Sequence, residues 1–138
     1  EASQGPGENI LLRKVSQSLQ VAEEIEVELE IGVERPSQFP QTAQSLYLDL
    51  DHLQFPLLLR PWKAGDRFRP LGMQGRHQKL KDFLINKKRS RFEKEQVWVI
   101  ESGGKICCIP GWQVDEGFKI RPETKNCLLI HWRTGRQF

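Results

Sequence analysis

The sequence is poor in cysteine and has no long apolar run, and both features exclude classes of protein. Its 138 residues include 3 cysteines, and Cys107 and Cys108 are adjacent, so neither a disulfide framework nor a Cys-x-x-Cys metal site is indicated. If both lie in a strand, one should face the core and the other solvent. No stretch reaches the roughly 18 apolar residues of a membrane span, and a reducing cytoplasm is the expected compartment.

Signals for export, nucleotides and metals are also missing. The N-terminus has neither a signal-peptide pattern nor an initiator Met, so we expect a fragment boundary. Ser102, Gly103 and Gly104 resemble the start of the Ser-Gly-Gly-x-Asp-Ser loop of ATP pyrophosphatases, but Lys105 and Ile106 follow, so a hairpin turn is expected instead. The histidines are far apart and lie outside any ligand motif, which predicts no metal site.

Apolar periodicity predicts an α+β domain of short strands with one or two helices. The length and a composition of 38% hydrophobic and 28% charged residues fit one domain, residues 1–138. Pro36 and Pro40 punctuate the loop between the first two predicted strands. The helix is predicted at 78–88, with a second helical turn capped by Ser90. The predicted strands are 21–33, 46–50, 57–60, 97–101, 105–109, 118–121 and 127–132.

Charge is distributed unevenly along the chain. Residues 1–59 form an acidic, strand-rich scaffold with a net charge of −7, residues 60–91 a basic loop and helix with +9, and residues 92–138 a hairpin and closing strands with +1. The overall charge of +3 therefore hides one segment suited to a polyanion. On a continuous helix, Lys81 and Lys88 would project from the same flank.

The residue types of the basic segment favour phosphate recognition. Arginine binds phosphate oxygens in bidentate fashion, lysine adds point charge, and glycine lets backbone amides approach a sugar-phosphate chain. Trp62 and Phe68 either stack on a base or anchor the loop to the core. The candidate RNA-binding residues are Arg60, Lys63, Arg67, Arg69, Arg76, Lys79, Lys81, Lys87, Lys88 and Arg91. The loop-shaping or arginine-orienting candidates are Gly65, Asp66, Gly72, Gly75 and Asp82.

Acid pairs offer a weaker catalytic alternative. Asp49 with Asp51, or Asp115 with Glu116, has the residue types for an acid and a base. Such pairs on strand edges and turns are mostly solvated and structural. We therefore predict no catalytic residue, and a self-contained phosphotransfer or hydrolytic enzyme is the least favoured hypothesis.

Two motifs in the basic segment point to a family: Arg-Pro-x-x-x-Gly-Asp-Arg-Phe, and Lys-Asp-Phe with the basic run that follows it. RPWKAGDRFRPLGMQGRHQKLKDFLINKKRSRF, followed by IPGWQVDEGFKI and ETKN, resembles the C-terminal domain of bacterial tRNA(Ile)-lysidine synthetase from about Tyr47 to Trp132. The resemblance implies a small β-sandwich with helices, an architecture shared with a domain of the phenylalanyl-tRNA synthetase β subunit. Gln113 and Gly117 depart from the family pattern, which often has arginine at both places.

The resemblance also implies a function. The parent enzyme is an ATP-dependent ligase that joins lysine to the first-anticodon-position cytidine of a minor tRNA(Ile), with ATP and Mg in a separate N-terminal catalytic domain. This domain would hold tRNA, on the acceptor-stem side, without being catalytic. Its expected partners are tRNA(Ile) and the catalytic domain of the same chain, with no cofactor of its own. The alternative is an intramolecular docking module that orients the catalytic domain without touching RNA.

Overall fold

Two large antiparallel sheets, a two-stranded ribbon and one α-helix form the fold in the computed structural model, which describes residues 9–37 and 42–135. Pro40 and the first eight residues lie outside the described part. The eleven strands are β1 (Ile10–Leu12), β2 (Gln17–Ala22), β3 (Ile25–Glu34), β4 (Ser45–Asp49), β5 (Leu57–Pro61), β6 (Arg67–Phe68), β7 (Gln78–Lys79), β8 (Trp98–Ser102), β9 (Lys105–Ile109), β10 (Gln113–Val114) and β11 (Asn126–Thr134). Helix α1 spans Leu80–Lys94, and Leu50–His52 and Glu116–Phe118 form 3₁₀ turns.

The two sheets pack face to face as a small sandwich. The first has the strand order β1-β5-β8-β9-β10, the second has β2-β3-β11-β4, and β6 with β7 forms a separate ribbon. One buried cluster contains Leu59 and Ile100 from the first sheet with Leu29 and Ile130 from the second. Each such fully buried side chain contributes about 1.5–3 kcal/mol. The predicted α+β class is confirmed.

The helix covers the other face of the first sheet. Along β8, Trp98 and Ile100 belong to the sandwich core, while Val99 belongs to a second buried cluster. That cluster includes Phe83 and Leu84 of α1, as the predicted helical spacing of these residues requires. The basic segment is thus a third layer, fixed to the sandwich by its own apolar side chains.

Helix α1 is longer than predicted and is broken. Lys88 has φ −160° and ψ 83°, which separates two helical segments. The predicted second segment exists, but the break comes two residues before Ser90, which therefore lies inside that segment. The same break removes the basis for expecting Lys81 and Lys88 on one flank. Among the described residues, no helix has the length and apolarity of a membrane span.

The prediction of one strand over 21–33 is wrong. This region forms the hairpin of β2 and β3, and Glu24 at its turn has a positive φ of 68°. The two residues of this turn are Glu23 and Glu24, and neither is the glycine, asparagine or aspartate that marks such turns in a sequence. No strand forms over 118–121, where a 3₁₀ turn ends at Phe118. The hairpin of β8 and β9 and the closing strand β11 are confirmed.

Both adjacent cysteines are buried, contrary to the prediction that one would face solvent. The register of β8 and β9 shifts between Ile100 and Glu101, whose partners are Cys108 and Ile106. Cys107 is the extra residue of this irregularity, so strict alternation does not apply to it. Cys107 and Cys108 accordingly belong to the same core cluster, although they are adjacent on an inner strand of the first sheet.

Candidate nucleic-acid interface

A buried ion network holds the base of the basic loop. Arg60, on β5, is 6% exposed and donates to both carboxylate oxygens of Asp66, at 3.1 and 2.9 Å. Its Nε donates to Glu101 Oε2 at 2.6 Å. Burial acts to lower the pKa of Arg60, but the hydrogen bonds and charges of Asp66 and Glu101 outweigh it, so the pKa is raised. The predicted contact of Arg60 with RNA does not fit this position, and its role is to organise the loop.

A second arginine pair joins the loop to the β10 region. The Asp115 side chain is 2% exposed, and its carboxylate accepts from the backbone N–H and the Nε of Arg69 at 2.7 and 3.1 Å. Its Oδ1 also accepts from Gly117 N–H at 2.7 Å. A Cβ at Gly117 would overlap the Arg69 guanidinium, so the space for a side chain at position 117 is already filled by arginine. Arg69 is thus partly buried, and its guanidinium is mainly bound to Asp115.

Arg91 is committed in a similar way. Its guanidinium lies 4.0 Å above the ring of Trp112, within the range of a cation–π contact. Its Nη2 donates to Gly111 O at 2.8 Å, and its Nε donates to Glu95 at 2.9 Å. The side chain is 26% exposed, which leaves one edge for a ligand.

The other seven candidate cations lie on the surface. Within 9–37 and 42–135, none of them has a carboxylate within 4.0 Å, and Lys87 lies 5.7 Å from the ring of Phe83. Unpaired cations on one short segment present a positive field to solvent. These residues, named here the open cations, are Lys63, Arg67, Arg76, Lys79, Lys81, Lys87 and Lys88.

Two of the open cations face each other directly. Arg67 on β6 and Lys79 on β7 are cross-strand partners, while Phe68 and Gln78 form the next pair. Phe68 packs against Phe83 with ring centroids 4.8 Å apart, which settles its role as an anchor and turns Arg67 and Lys79 outward. Like charges directly opposite on a sheet repel each other, so this ribbon gains from an anion between the two side chains.

The loop glycines and acids have different environments. Gly65, Gly72 and Gly75 all have positive φ, and a Cβ on any of them would meet open space. They therefore shape the exposed backbone rather than relieve a crowded contact. Asp82 is exposed in the first turn of α1 and contacts no cation in the described part of the chain, so of the two acids predicted to orient an arginine only Asp66 does so.

A cleft beside the open cations is lined in part by His77 and Lys105, which were not among the predicted binding residues. The cavity has a volume of about 370 Å³, and among its lining residues are Arg67, Arg69, His77 and Lys105. Lys105 begins β9, outside the basic segment, so counting charge along the chain did not find it. Only the pairing of the sheet brings it beside the loop.

Residues considered for a catalytic or phosphate-binding role have structural roles instead. Asp49 is 3% exposed and accepts from Thr124 Oγ1 at 2.8 Å, and Asp115 serves Arg69, so neither acid is solvated as predicted. Ser102 is buried, and its Oγ accepts from Gln54 N–H at 2.9 Å. The Ser-Gly-Gly turn is therefore a hairpin turn whose hydroxyl is unavailable to a phosphate.

One group of potential metal ligands lies on the second sheet. Ligand atoms of Glu28, Glu30 and His131 lie within 4.8 Å of one another. His131 Nε2 is 2.9 Å from Glu30 Oε2, its Nδ1 is 3.0 Å from Ser45 Oγ, and Glu28 pairs with Arg133 at 2.9 Å. These contacts already satisfy the three groups as a cross-strand polar ladder.

Comparison with known proteins decides the family. The sequence profile described as "TilS substrate C-terminal domain" matches residues 57–132. The chain belongs to this family. A tRNA(Ile)-lysidine synthase from Parabacteroides distasonis is 46% identical over 86 residues, which cover 62% of this chain and 19% of that protein. One from Geobacter sulfurreducens is 28% identical over 111 residues, 80% of this chain and 23% of that protein.

A solved structure supports the same fold. The crystal structure of a TilS C-terminal domain superposes with a TM-score of 0.74 at 20% identity, covering 94% of this chain and 100% of the other. The chain spans about a fifth of the length of the curated relatives it matches. The family resemblance carried by the Gly-Asp-Arg-Phe and Lys-Asp-Phe motifs is confirmed.

Proposed function

We propose that this chain is the noncatalytic tRNA-binding domain of a tRNA(Ile)-lysidine synthetase. The observation that supports it most is the set of open cations on one loop and helix, none of them neutralised by a carboxylate of the described chain. The proposed contacts are Lys63, Arg67, Arg76, Lys79, Lys81, Lys87 and Lys88, with Arg69 and Arg91 adding their exposed edges. Arg60 and Asp66 keep the loop in shape beneath them.

The chemistry of the surface favours phosphates over base edges. Most of these cations are lysines, which act as point charges, and a double-stranded RNA major groove is too deep and narrow for side chains to read. Phosphates and 2′-hydroxyls are therefore the expected contacts, with the acceptor-stem side of tRNA(Ile) as the proposed site. ATP, Mg and the lysine-joining step belong in this proposal to the separate catalytic domain. The compartment proposed is the cytoplasm, and the shared architecture with the phenylalanyl-tRNA synthetase β subunit stays a prediction.

Salt dependence tests the proposal. If six cations meet phosphates, the logarithm of the association constant should fall against the logarithm of salt concentration with a slope of about −4 to −5. The measurement is fluorescence anisotropy of a labelled tRNA(Ile) transcript titrated with the 138-residue chain. A flat salt response, or no binding at low salt, contradicts direct RNA binding.

A matched charge reversal tests whether this surface, and not the net charge of the chain, binds RNA. The double variant Lys81→Glu with Lys88→Glu should weaken tRNA binding at least tenfold, because it removes two phosphate contacts and adds repulsion. Lys14→Glu with Lys125→Glu changes the net charge equally at exposed positions outside the basic segment, and should have a much smaller effect. Equal losses for both pairs would mean that net charge, not this surface, governs binding.

A further inference from the structure

We infer that the cleft between the β6–β7 ribbon and the β8–β9 turn is a pocket for a terminal phosphate of the bound RNA. This inference rests on the proposed function and adds to it one discrete site. The cleft, of about 370 Å³, lies beside the open cations but differs from them in shape. Its lining residues come from five separate stretches of the chain, so its charges converge instead of spreading over a surface.

The charge of the cleft matches a phosphate monoester. Four cationic side chains and two carboxylates line it, a net of two positive charges with His77 neutral. A phosphate monoester has a charge of about −1.5 to −2 at pH 7 and three strong acceptor oxygens. The four lining cations are Arg60, Arg67, Arg69 and Lys105.

The two carboxylates in the lining do not repel such a ligand, because each is already satisfied. Asp66 accepts two bonds from the Arg60 guanidinium and one from Lys63 N–H at 2.8 Å. Asp115 accepts from Arg69 and from the backbone of Gly117. The Arg60–Asp66 and Arg69–Asp115 ion pairs form the buried floor of the cleft and carry no net charge. The charge available to a ligand comes from Arg67 and Lys105, which are exposed at its walls.

The donors of the walls are free and accessible. Arg67 and Lys105 are exposed, and within the described residues neither has an ion-pair partner. Arg67 also faces Lys79 across the ribbon, a like-charge pair that an anion would relieve. Gly104, with φ 84°, leaves the rim open because a Cβ there would meet nothing within 4 Å. Arginine, lysine and a ring nitrogen of His77 together offer more donors than one phosphodiester can accept.

Concavity favours a chain end over an internal phosphate. An internal phosphodiester has a sugar on both sides and must pass along a surface, as the open cations allow. A terminal monoester projects from the end of the RNA with three oxygens free and can enter a cleft that is closed at its floor. The expected ligand is therefore the monophosphate at an RNA terminus, and free inorganic phosphate has the same chemistry.

The test compares one tRNA(Ile) transcript with a 5′-monophosphate or a 5′-hydroxyl. Anisotropy titrations should give about tenfold tighter binding of the phosphorylated form, the size expected for a charge-assisted contact. Arg67→Gln and Lys105→Gln, both at exposed positions, should reduce this ratio to less than twofold while the variants retain wild-type melting temperatures. The control Lys81→Gln should weaken both transcripts equally and leave the ratio near tenfold.

Each failure has a distinct meaning. A ratio near one in the wild-type chain, with salt-dependent binding intact, overturns the pocket and leaves the proposed function standing. No binding of either transcript overturns both. A wild-type ratio near one together with binding of inorganic phosphate at micromolar concentration would make the cleft a free-phosphate site and overturn its assignment to the RNA end.

Discussion

The guanidinium of Arg60 holds both carboxylate oxygens of Asp66, with Nη1–Oδ2 at 3.1 Å and Nη2–Oδ1 at 2.9 Å. Each side chain is only 7% exposed. The backbone of Asp66 also contributes, since its carbonyl accepts from Leu80 N–H at 2.9 Å. Asp66 therefore connects the basic loop to strand β5 and to the start of α1. The position of the open cations depends on this residue.

Asp66→Asn should destabilise the domain by about 3 kcal/mol, because removing one member of a buried ion pair leaves a buried charge short of its partner. Asparagine keeps the size of the side chain, so the loss reports charge and hydrogen bonding. Urea unfolding followed by tryptophan fluorescence measures the change. Glu123→Gln, at an exposed position with no ion pair in the described chain, is the control and should stay within about 0.5 kcal/mol. Equal stability of Asp66→Asn and wild type would contradict the network.

The burial of Arg60 could not be predicted from the sequence. Eleven cations in residues 60–91 predicted a basic surface, and most of them are exposed, but a count of charges treats all of them alike. Arg60 is buried by its ion pair with Glu101, 41 residues later, and strand pairing places Lys105 beside the basic loop. Both positions depend on contacts between residues distant in sequence, so no local pattern predicts them.

Turn chemistry explains which strands could be predicted. Gly103 and Gly104 adopt positive φ, as a two-residue hairpin turn requires, and that hairpin was predicted from the sequence. Glu24 adopts a positive φ without any such signal, so its hairpin was predicted as one strand. The helical spacing of Leu80, Phe83 and Leu84 predicted α1, but it did not predict the break at Lys88, which lies among polar residues.

The three cysteines should be unreactive in the folded chain. Burial, with a hydrogen bond that the Cys108 thiol donates to Cys107, raises the pKa of Cys108, and burial together with the charge of Asp49 raises that of Cys127. Since the thiolate is the nucleophile, Ellman's reagent at pH 8 should react with none of them quickly and with all three in guanidinium chloride. Lys125→Cys adds an exposed thiol as the positive control. Fast reaction of a native cysteine in the wild type would contradict the burial.

Gly117→Ala should cost about 1–3 kcal/mol through overpacking. The new Cβ would lie 2.6 Å from Cζ of Arg69, and Arg69 cannot move without breaking its bonds to the buried Asp115. In an Arg69→Met background the overlap is gone, so the same substitution should cost less than about 0.5 kcal/mol. Urea unfolding of the four proteins completes the double-mutant cycle. The same loss in both backgrounds would show that Gly117 is required for another reason.

The ion pair of Glu116 and Lys119 should contribute a pH-dependent part of the stability. Lys119 Nζ lies 2.6 Å from Glu116 Oε2, and this hydrogen bond lowers the pKa of Glu116 below its ordinary value of 4.5. A carboxyl whose pKa is lower in the folded state adds stability above its unfolded pKa, and that stability is lost as pH falls through the folded pKa. Lys119→Met should therefore be less stable than wild type at pH 7, and the difference should shrink as the pH falls below 4.5. NMR titration of the Glu116 carboxyl should show its pKa rising toward the ordinary value in this variant. Lys125→Met, which removes an exposed lysine with no ion pair in the described chain, should leave that titration unchanged, and an unshifted Glu116 in Lys119→Met would show that Lys119 is not the cause.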